Sequence, residues 1–453
     1  MELLLPESVG RPIRTICGRI REAGGRAYLV GGCVRDLLLA VPTQEFDLEV
    51  FSLDAPTLEN LFPKALDFVG KCYGIYRFRN LPIDIGLPRE ERPTGPGHRD
   101  FAVRVDSNLP LETAAARRDF TVNAIYWDPL EGELVDPFGG GEDLKNRTLR
   151  HVSNHFPEDP LRVLRAMQLA ARFRFSIDPR TVRLCRSLSA KNISSERICG
   201  EFLKLVLRGE AIGSGLEFLR QCDWLRFFPE LAALVDCPQD PVFHPEGSVW
   251  EHVKLAMDSF AESRPPELED ALVVGFAVLC HDFGKSLRTE RGADGRIRTA
   301  GHGPAGVPLA ERFLQNMRMP KEIVRAVLPL VAQHMVPRTF SRPAVATVGA
   351  VRRLAWEVGR IDRLLAVARC DNRGRALAAF DFSGEDRLEK LAKSEGLFRN
   401  PPVPLVRGRD LLDFLPQSPQ LGLLLKKLFE EQLDGKFSSR EEGLRLARES
   451  YVG

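Results

Sequence analysis

The chain lacks several features that would assign it to a class at once. Its nine cysteines include no CxxC pair, which argues against a structural zinc and against a disulfide scaffold and fits reduced thiols in a cytosol. No apolar run approaches the length that spans a bilayer, so no membrane role is expected. The opening MELLLPESVGRPIR has neither a basic leader nor a long apolar segment, so it is not a signal peptide, and the expected location is cytoplasmic. A net charge of only +2 gives no overall signature of nucleic-acid binding, and there is no internal repeat or low-complexity tract. What is present is ordinary globular composition, 44% hydrophobic and 28% charged over 453 residues, enough for two to four domains. Charge is uneven locally: Arg150 to Arg208 carries 12 Lys and Arg against 5 Asp and Glu. Such a basic helical stretch suits phosphate contacts, and equally a solvated helix face.

RAYLVGGCVRDLLLA has the pattern of a short strand, a Gly-Gly turn and a helix, and EFDLEVF and LPIDIGLPR have the pattern of strands. RPTGPGHR is a loop. Strands alternating with helices to about residue 150 predict an α/β domain. From EDPLRVLRAMQLAARF onward, apolar residues recur at helical spacing almost to the end, so the remainder is expected to be helical.

QEFDLEVF sets Glu45, Asp47 and Glu49 at alternate positions, which a strand places on one face. Clustered carboxylates repel, so this face suits open water or a cation. About fifteen residues earlier, Gly31 and Gly32 offer unhindered backbone N–H groups at a helix start, with Arg35 one turn on. A phosphate cradle followed by paired carboxylates is what metal-assisted nucleotidyl transfer needs, and Asp84 in PIDIG is a further carboxylate on a neighbouring strand.

In order, LVGGCVRDLLL, EFDLEVF, RRDFTVNAI, VDPFGGGEDL, RHVSNHFPEDPLRVLRAMQ and SSERICGEFLKLVLRG resemble the consecutive motifs of the class II CCA-adding tRNA nucleotidyltransferases and the related bacterial poly(A) polymerases, over roughly residues 28 to 235. The resemblance implies an α+β fold: a nucleotidyltransferase palm, mixed sheet with helices, at 1–150; a helical neck and body for base selection and tRNA binding at 151–238; and helices thereafter. It implies that Gly32 and Arg35 bind the nucleotide's phosphates, that Glu45 and Asp47 hold Mg²⁺, that Arg118 meets the triphosphate, and that Asp119 and Asn123 lie near the ribose. The first metal position is usually Asp in the family and is Glu45 here. Glu49 has no place in that pair and is read as an acid behind it or facing solvent. Asp159, Arg162 and Arg165 are expected on one side of a helix, with Asp159 and Arg162 reading the base. A carboxylate accepts from the amino group that cytosine and adenine share, and a guanidinium donates to the ring nitrogen and carbonyl. The substrates implied are CTP, ATP and tRNA, for a monomer or homodimer. The family often has a further Arg where Gln168 stands.

A second set of motifs, HPEGSVWEHV, LCHDFGK, GHGPAG, AQHM and ARCDNRGR, supplies His252, His281, Asp282, His302, His334 and Asp371, and holds five of the eight histidines. It resembles the HD-domain metal phosphohydrolases and is assigned to 239–375. Imidazoles with carboxylates suit a transition metal such as Ni²⁺, Mn²⁺, Fe²⁺ or Co²⁺, and the implied chemistry is water attack on a 2′,3′-cyclic phosphate or a phosphomonoester. The segment 376–453 resembles the helical tail that grips tRNA in CCA-adding enzymes. GKCYGIYRF in place of the Gly-Arg-Arg-Phe signature of poly(A) polymerases, and the long loop PREERPTGPGHRDF, favour complete CCA addition over poly(A), CC or A addition. The alternative of another class is an HD hydrolase with an inactive transferase half.

Overall fold

The computed structural model describes residues 3–63, 65–70, 74–93, 101–412 and 414–452. Residues 71–73 of the GKCYGIYRF stretch, and 94–100 of the Gly/Pro-rich loop, lie outside the described residues. The architecture is α+β, with a mixed sheet in the N-terminal part and helices in the C-terminal part.

The strands are β1 (Arg26–Val30), β2 (Phe46–Phe51), β3 (Leu66–Gly70), β4 (Ile75–Phe78), β5 (Ile83–Gly86), β6 (Arg89–Pro93), β7 (Phe101–Val105), β8 (Tyr126–Asp128) and β9 (Glu133–Val135). Seven of them form one sheet in the order β3-β4-β5-β2-β1-β8-β9, and β6 pairs with β7 as a separate hairpin. Within the sheet, β2 and β5 run parallel and the other neighbours antiparallel. Alternation in β2 works as its sequence implies: Phe46, Leu48 and Val50 are buried, while Asp47 and Glu49 face the other way. Parallel pairing with β5 sets Asp47 beside Asp84. Glu45 lies one residue ahead of the strand and is exposed.

The chain forms two compact units, Met1–Glu201 with Phe218–Trp224, and Phe202–Glu217 with Leu225–Gly453. In the first, the helix Glu7–Glu22 buries Val9, Ile13, Ile16, Cys17 and Ile20 along one stripe. In the second, Leu268–Cys280 is apolar all round and is the central helix, packed by Val249–Glu262, Lys321–Gln333 and Ile361–Arg373. The last helices, Pro419–Leu433 and Arg440–Val452, share a small core of Leu421, Leu428, Phe437 and Ala447. Against the expectation of helices alone after residue 150, Glu290–Arg291 pairs with Ile297–Arg298 as a short ribbon. No helix among the described residues is long and apolar enough to cross a membrane.

Candidate active site

In the first unit, β1 ends in a turn that only glycine suits. Gly31 has φ +81°, and a Cβ there would come within 3.0 Å of Arg118 Nη1. The absent side chain lets Arg118 lie between this turn and β2. Arg118 is fixed by Glu49, which it meets at 2.9 Å, and Tyr126 donates its hydroxyl to the same Glu49 oxygen at 3.0 Å. Glu49 is therefore the anchor of a cleft arginine, a role that acid alternation alone could not reveal.

A cleft of about 450 Å³ opens over this arrangement, lined by Asp47, Glu49 and Asp84 and by Arg117, Arg118 and Arg162. Partial burial on the cleft floor pushes the Asp47 carboxyl up, Arg118 opposes this, and Asp84 and Glu45 reinforce it. Asp84 is held differently: Arg77 donates two hydrogen bonds to it, each 2.7 Å. A divalent cation would relieve the crowding around Asp47, so these residues fit Mg²⁺ by charge and by donor type.

Several expected contact residues sit behind the cleft. Arg35 is only 4% exposed; it donates to Asp36 at 2.8 and 2.6 Å and to Asn123 at 2.7 Å, and it stacks on Phe173. Asp36 also takes Arg172 at 2.9 Å. Arg35 is thus not placed as a direct phosphate contact, because its charge is spent on a buried carboxylate. Asp119 and Asn123 are buried in the same network: Asn123 donates to Asp119 at 2.9 Å, and Arg165 meets Asp119 at 2.7 and 2.6 Å. Burial would raise the Asp119 carboxyl, but Arg165, Asn123 and Arg162 outweigh it and hold it at about 2.

Asp159, Arg162 and Arg165 do not share one helix side. The helix begins at Arg162, and Asp159 precedes it in extended backbone, the conformation favoured before Pro160. Asp159 accepts from Arg197 at 2.7 Å, Arg162 donates to the carbonyls of His155 and Arg117 at 2.7 and 2.6 Å, and Arg165 turns to Asp119. Gln168 is buried and does not line the cleft.

In the second unit, His252, His281, Asp282, His302, His334 and Asp371 converge. His281 and His334 stand at the C-terminal ends of Leu268–Cys280 and Lys321–Gln333, and His302 opens the helix His302–Asn316. A close approach brings them together: a Cβ on Gly284 would lie 2.0 Å from the His302 carbonyl oxygen. The Nδ1 atoms of His281, His302 and His334 lie 2.7, 2.7 and 2.8 Å from the carbonyl oxygens of Val278, Thr299 and Val331, and His252 Nδ1 lies 3.0 Å from Glu246. Oxygens accept, so each Nδ1 is placed as a donor to its partner, which turns the Nε2 of each ring inward. His302 and His334 then face each other Nε2 to Nε2 at 3.0 Å, and His252 and His281 at 3.3 Å. Ring nitrogens this close need a cation, whether a proton or a metal ion, among them.

Asp282 lies between the two histidine pairs: Oδ1 is 3.3 Å from His302 and Oδ2 is 3.3 Å from His281. Both oxygens lack a well-formed hydrogen bond, although Lys285 Nζ is 2.6 Å from Oδ2. Asp371 Oδ1 is 3.1 Å from His252 Nε2. Burial would raise both carboxyls, but His281 and Lys285 beside Asp282, and His252 and Arg375 beside Asp371, hold them well below the carboxylate range. Burial pushes the His334 imidazole down to about 3, keeping it neutral. Inward-turned imidazoles with ionised carboxylates are the donor set of a transition-metal centre, and the sharing of Asp282 by both histidine groups suits two ions. Glu246, which accepts from His244 and His252, was absent from the residues chosen by motif. Its place in HPEG, six residues before His252, was the available signal.

Residues 27–150 match the family described as the poly A polymerase head domain, and 174–234 match the probable RNA and SrmB-binding site of polymerase A. The multifunctional CCA protein of Tolumonas auensis is 36% identical over 359 residues, 77% of this chain and 84% of that protein. That of Xylella fastidiosa is 34% identical over 368 residues, with the same shares. Among solved structures, the Bacillus stearothermophilus CCA-adding enzyme in complex with CTP superposes with a TM-score of 0.65 at 20% identity, covering 99% of both chains. The Thermotoga maritima CCA-adding enzyme complexed with tRNA gives 0.59 at 20% identity, covering 99% of this chain and 96% of that one. These two establish the fold, and the identity to the curated relatives establishes the family: this chain belongs to the CCA-adding nucleotidyltransferases that include the multifunctional CCA proteins.

Proposed function

We propose that the protein adds CCA to the 3′ end of tRNA from CTP and ATP without a nucleic-acid template. The observation that carries this is the pairing of Asp47 with Asp84 on the floor of a cleft rimmed by Arg117, Arg118 and Arg162. Mg²⁺ held by Glu45 and Asp47, with Asp84 beside them, would neutralise the triphosphate and activate the attacking 3′ hydroxyl. Arg118, kept in place by Glu49 and Tyr126, orients the triphosphate. The backbone at Gly31 and Gly32 leaves room for the phosphates. Arg35, Asp119 and Asn123 act as the buried frame beneath this wall, with the half-buried Arg165 holding Asp119. Asp159 and Arg162 read the base, with Asp159 exchanging Arg197 for the shared amino group of cytosine or adenine. In this scheme 1–150 is the catalytic palm, 151–238 selects the base, and 376–453 holds tRNA.

The test is incubation with a tRNA transcript that ends at the discriminator base, CTP, ATP and Mg²⁺, followed by 3′-end sequencing. CCA that stops, absent with Asp47→Ala, is the expected result. Long A tails would move the protein to the poly(A) polymerases, which the match to the poly A polymerase head domain makes the specific alternative. CC or A alone would make it half of a split system.

The histidine centre at 239–375 is proposed to be an HD phosphohydrolase, because four inward-turned Nε2 atoms beside two buried carboxylates, with both Asp282 oxygens short of a hydrogen bond, form a metal-ligand set. Metal there would activate water for attack on a cyclic phosphate or phosphomonoester. Hydrolysis of such esters by the wild type, lost in Asp282→Ala, checks this.

A further inference from the structure

Beside the histidine centre is a second cavity of about 280 Å³ whose lining includes His302 and Asp371 and three cations, Lys285, Arg338 and Arg375. Lys285 is accounted for by Asp282 at 2.6 Å and Gln239 at 2.7 Å. The two arginines are not. Arg375 is 4% exposed, its Nε has no hydrogen-bond partner, and its nearest acid is Asp371 at 3.7 Å, a carboxylate already directed to His252. Among the described residues the Arg338 side chain forms no hydrogen bond and no ion pair; Asp371, Glu385 and Asp381 act on it only from beyond ion-pair distance. A buried guanidinium such as Arg375, held by one long ion pair, is costly, and the half-buried Arg338 lining the same cavity repels it.

The geometry points to a phosphate clamp: Arg338 and Arg375 hold the oxygens of a terminal phosphate at the mouth of the metal centre, and two guanidinium charges favour a phosphomonoester dianion over a cyclic phosphodiester monoanion. This rests on the hydrolase function proposed above and adds to it the residues that bind the substrate and the charge they select. Guanidinium groups suit the task because their fork of N–H donors matches phosphate oxygens. Exposed Phe243 and Met335 also line the cavity and leave an apolar side for the organic part of the ester.

The test uses full-length, metal-loaded protein and inorganic phosphate as the probe, with binding measured by calorimetry in the wild type, Arg338→Gln and Arg375→Gln, and metal content measured in each. Phosphate is expected to bind the wild type and to weaken by about tenfold or more in Arg338→Gln at unchanged metal content. Equal binding by the wild type and Arg338→Gln, or no binding by the wild type, would overturn the clamp. If Arg375→Gln fails to fold or loses metal, Arg338→Gln carries the decision, because Arg338 is partly exposed and forms no hydrogen bond or ion pair with a metal-site residue among the described residues. Turnover is read separately with a phosphomonoester and a 2′,3′-cyclic nucleotide. A larger loss of kcat/KM for the monoester supports charge selection, and equal losses would overturn it. Phosphate binding that depends on Arg338 without turnover of any phosphoester would keep the clamp and defeat the hydrolase function.

Discussion

The two sites of this protein hold their carboxylates in opposite ways. In the N-terminal unit, Asp47 in the cleft and the exposed Glu45 beside its strand have carboxylates that accept no hydrogen bond among the described residues, and Glu49 and Asp84 are tied to arginines. In the histidine centre, Asp282 and Asp371 are buried, and every histidine is oriented by a partner on its far nitrogen. The first arrangement is incomplete without a substrate, which suits Mg²⁺ arriving with a nucleotide and keeping several waters. The second is enclosed and pre-oriented by its own partners, which suits a resident transition metal. An open carboxylate pair and a closed imidazole cluster thus suit two different kinds of metal.

The largest effect that would sharpen this contrast is at Asp47. Asp47→Ala should lower nucleotide incorporation by about a thousandfold, some 4 kcal/mol of transition-state stabilisation, with no change in tightly bound transition metal. Loss of that metal would break the separation of the two sites. Glu246→Gln should weaken transition-metal affinity by about 10–100-fold, because His252 loses the carboxylate that raises its basicity. Metal titration with a chromophoric chelator reads this, and nucleotide incorporation should stay within about twofold of the wild type.

Gly284→Ala places a methyl against the His302 carbonyl oxygen, so thermal unfolding of the metal-loaded protein should show a loss of about 1–3 kcal/mol. A smaller effect separates the N-terminal frame. Asp119 is held at about 2, below its ordinary 3.8, so its stabilisation is fully present above pH 3.8 and is lost as the pH falls through about 2. It is worth about 2 kcal/mol. Asp119→Asn should therefore be less stable than the wild type at pH 6 and nearly equal to it at pH 2, by denaturant unfolding at each pH.

How much of this was legible follows the range of the forces involved. The alternation at Phe46–Phe51 is local, so the strand and the common face of Asp47 and Glu49 could be read directly. Arg35 could not, because the groups that bury it, Asn123 and Phe173, are far along the chain. Asp159 was misplaced on the helix although Pro160 signalled its extended backbone. The six residues of the histidine centre were visible as motifs, and the structure brings them together. Glu246 was passed over because an acid between proline and glycine looks like a solvated turn, and Arg338 because nothing in its neighbourhood marks it as unpaired. The amphipathic stripe of Glu7–Glu22 is present in the spacing of Val9, Ile13, Ile16 and Ile20.

The most direct measurement of the central claim is 3′-end sequencing of a tRNA transcript lacking CCA, after incubation with protein stripped by a chelator and returned to Mg²⁺, CTP and ATP alone. Two independent metal sites predict that CCA is added and stops, while phosphoester hydrolysis by the same sample stays absent until a transition metal is restored. Ends that stay unchanged until the transition metal returns would contradict the account.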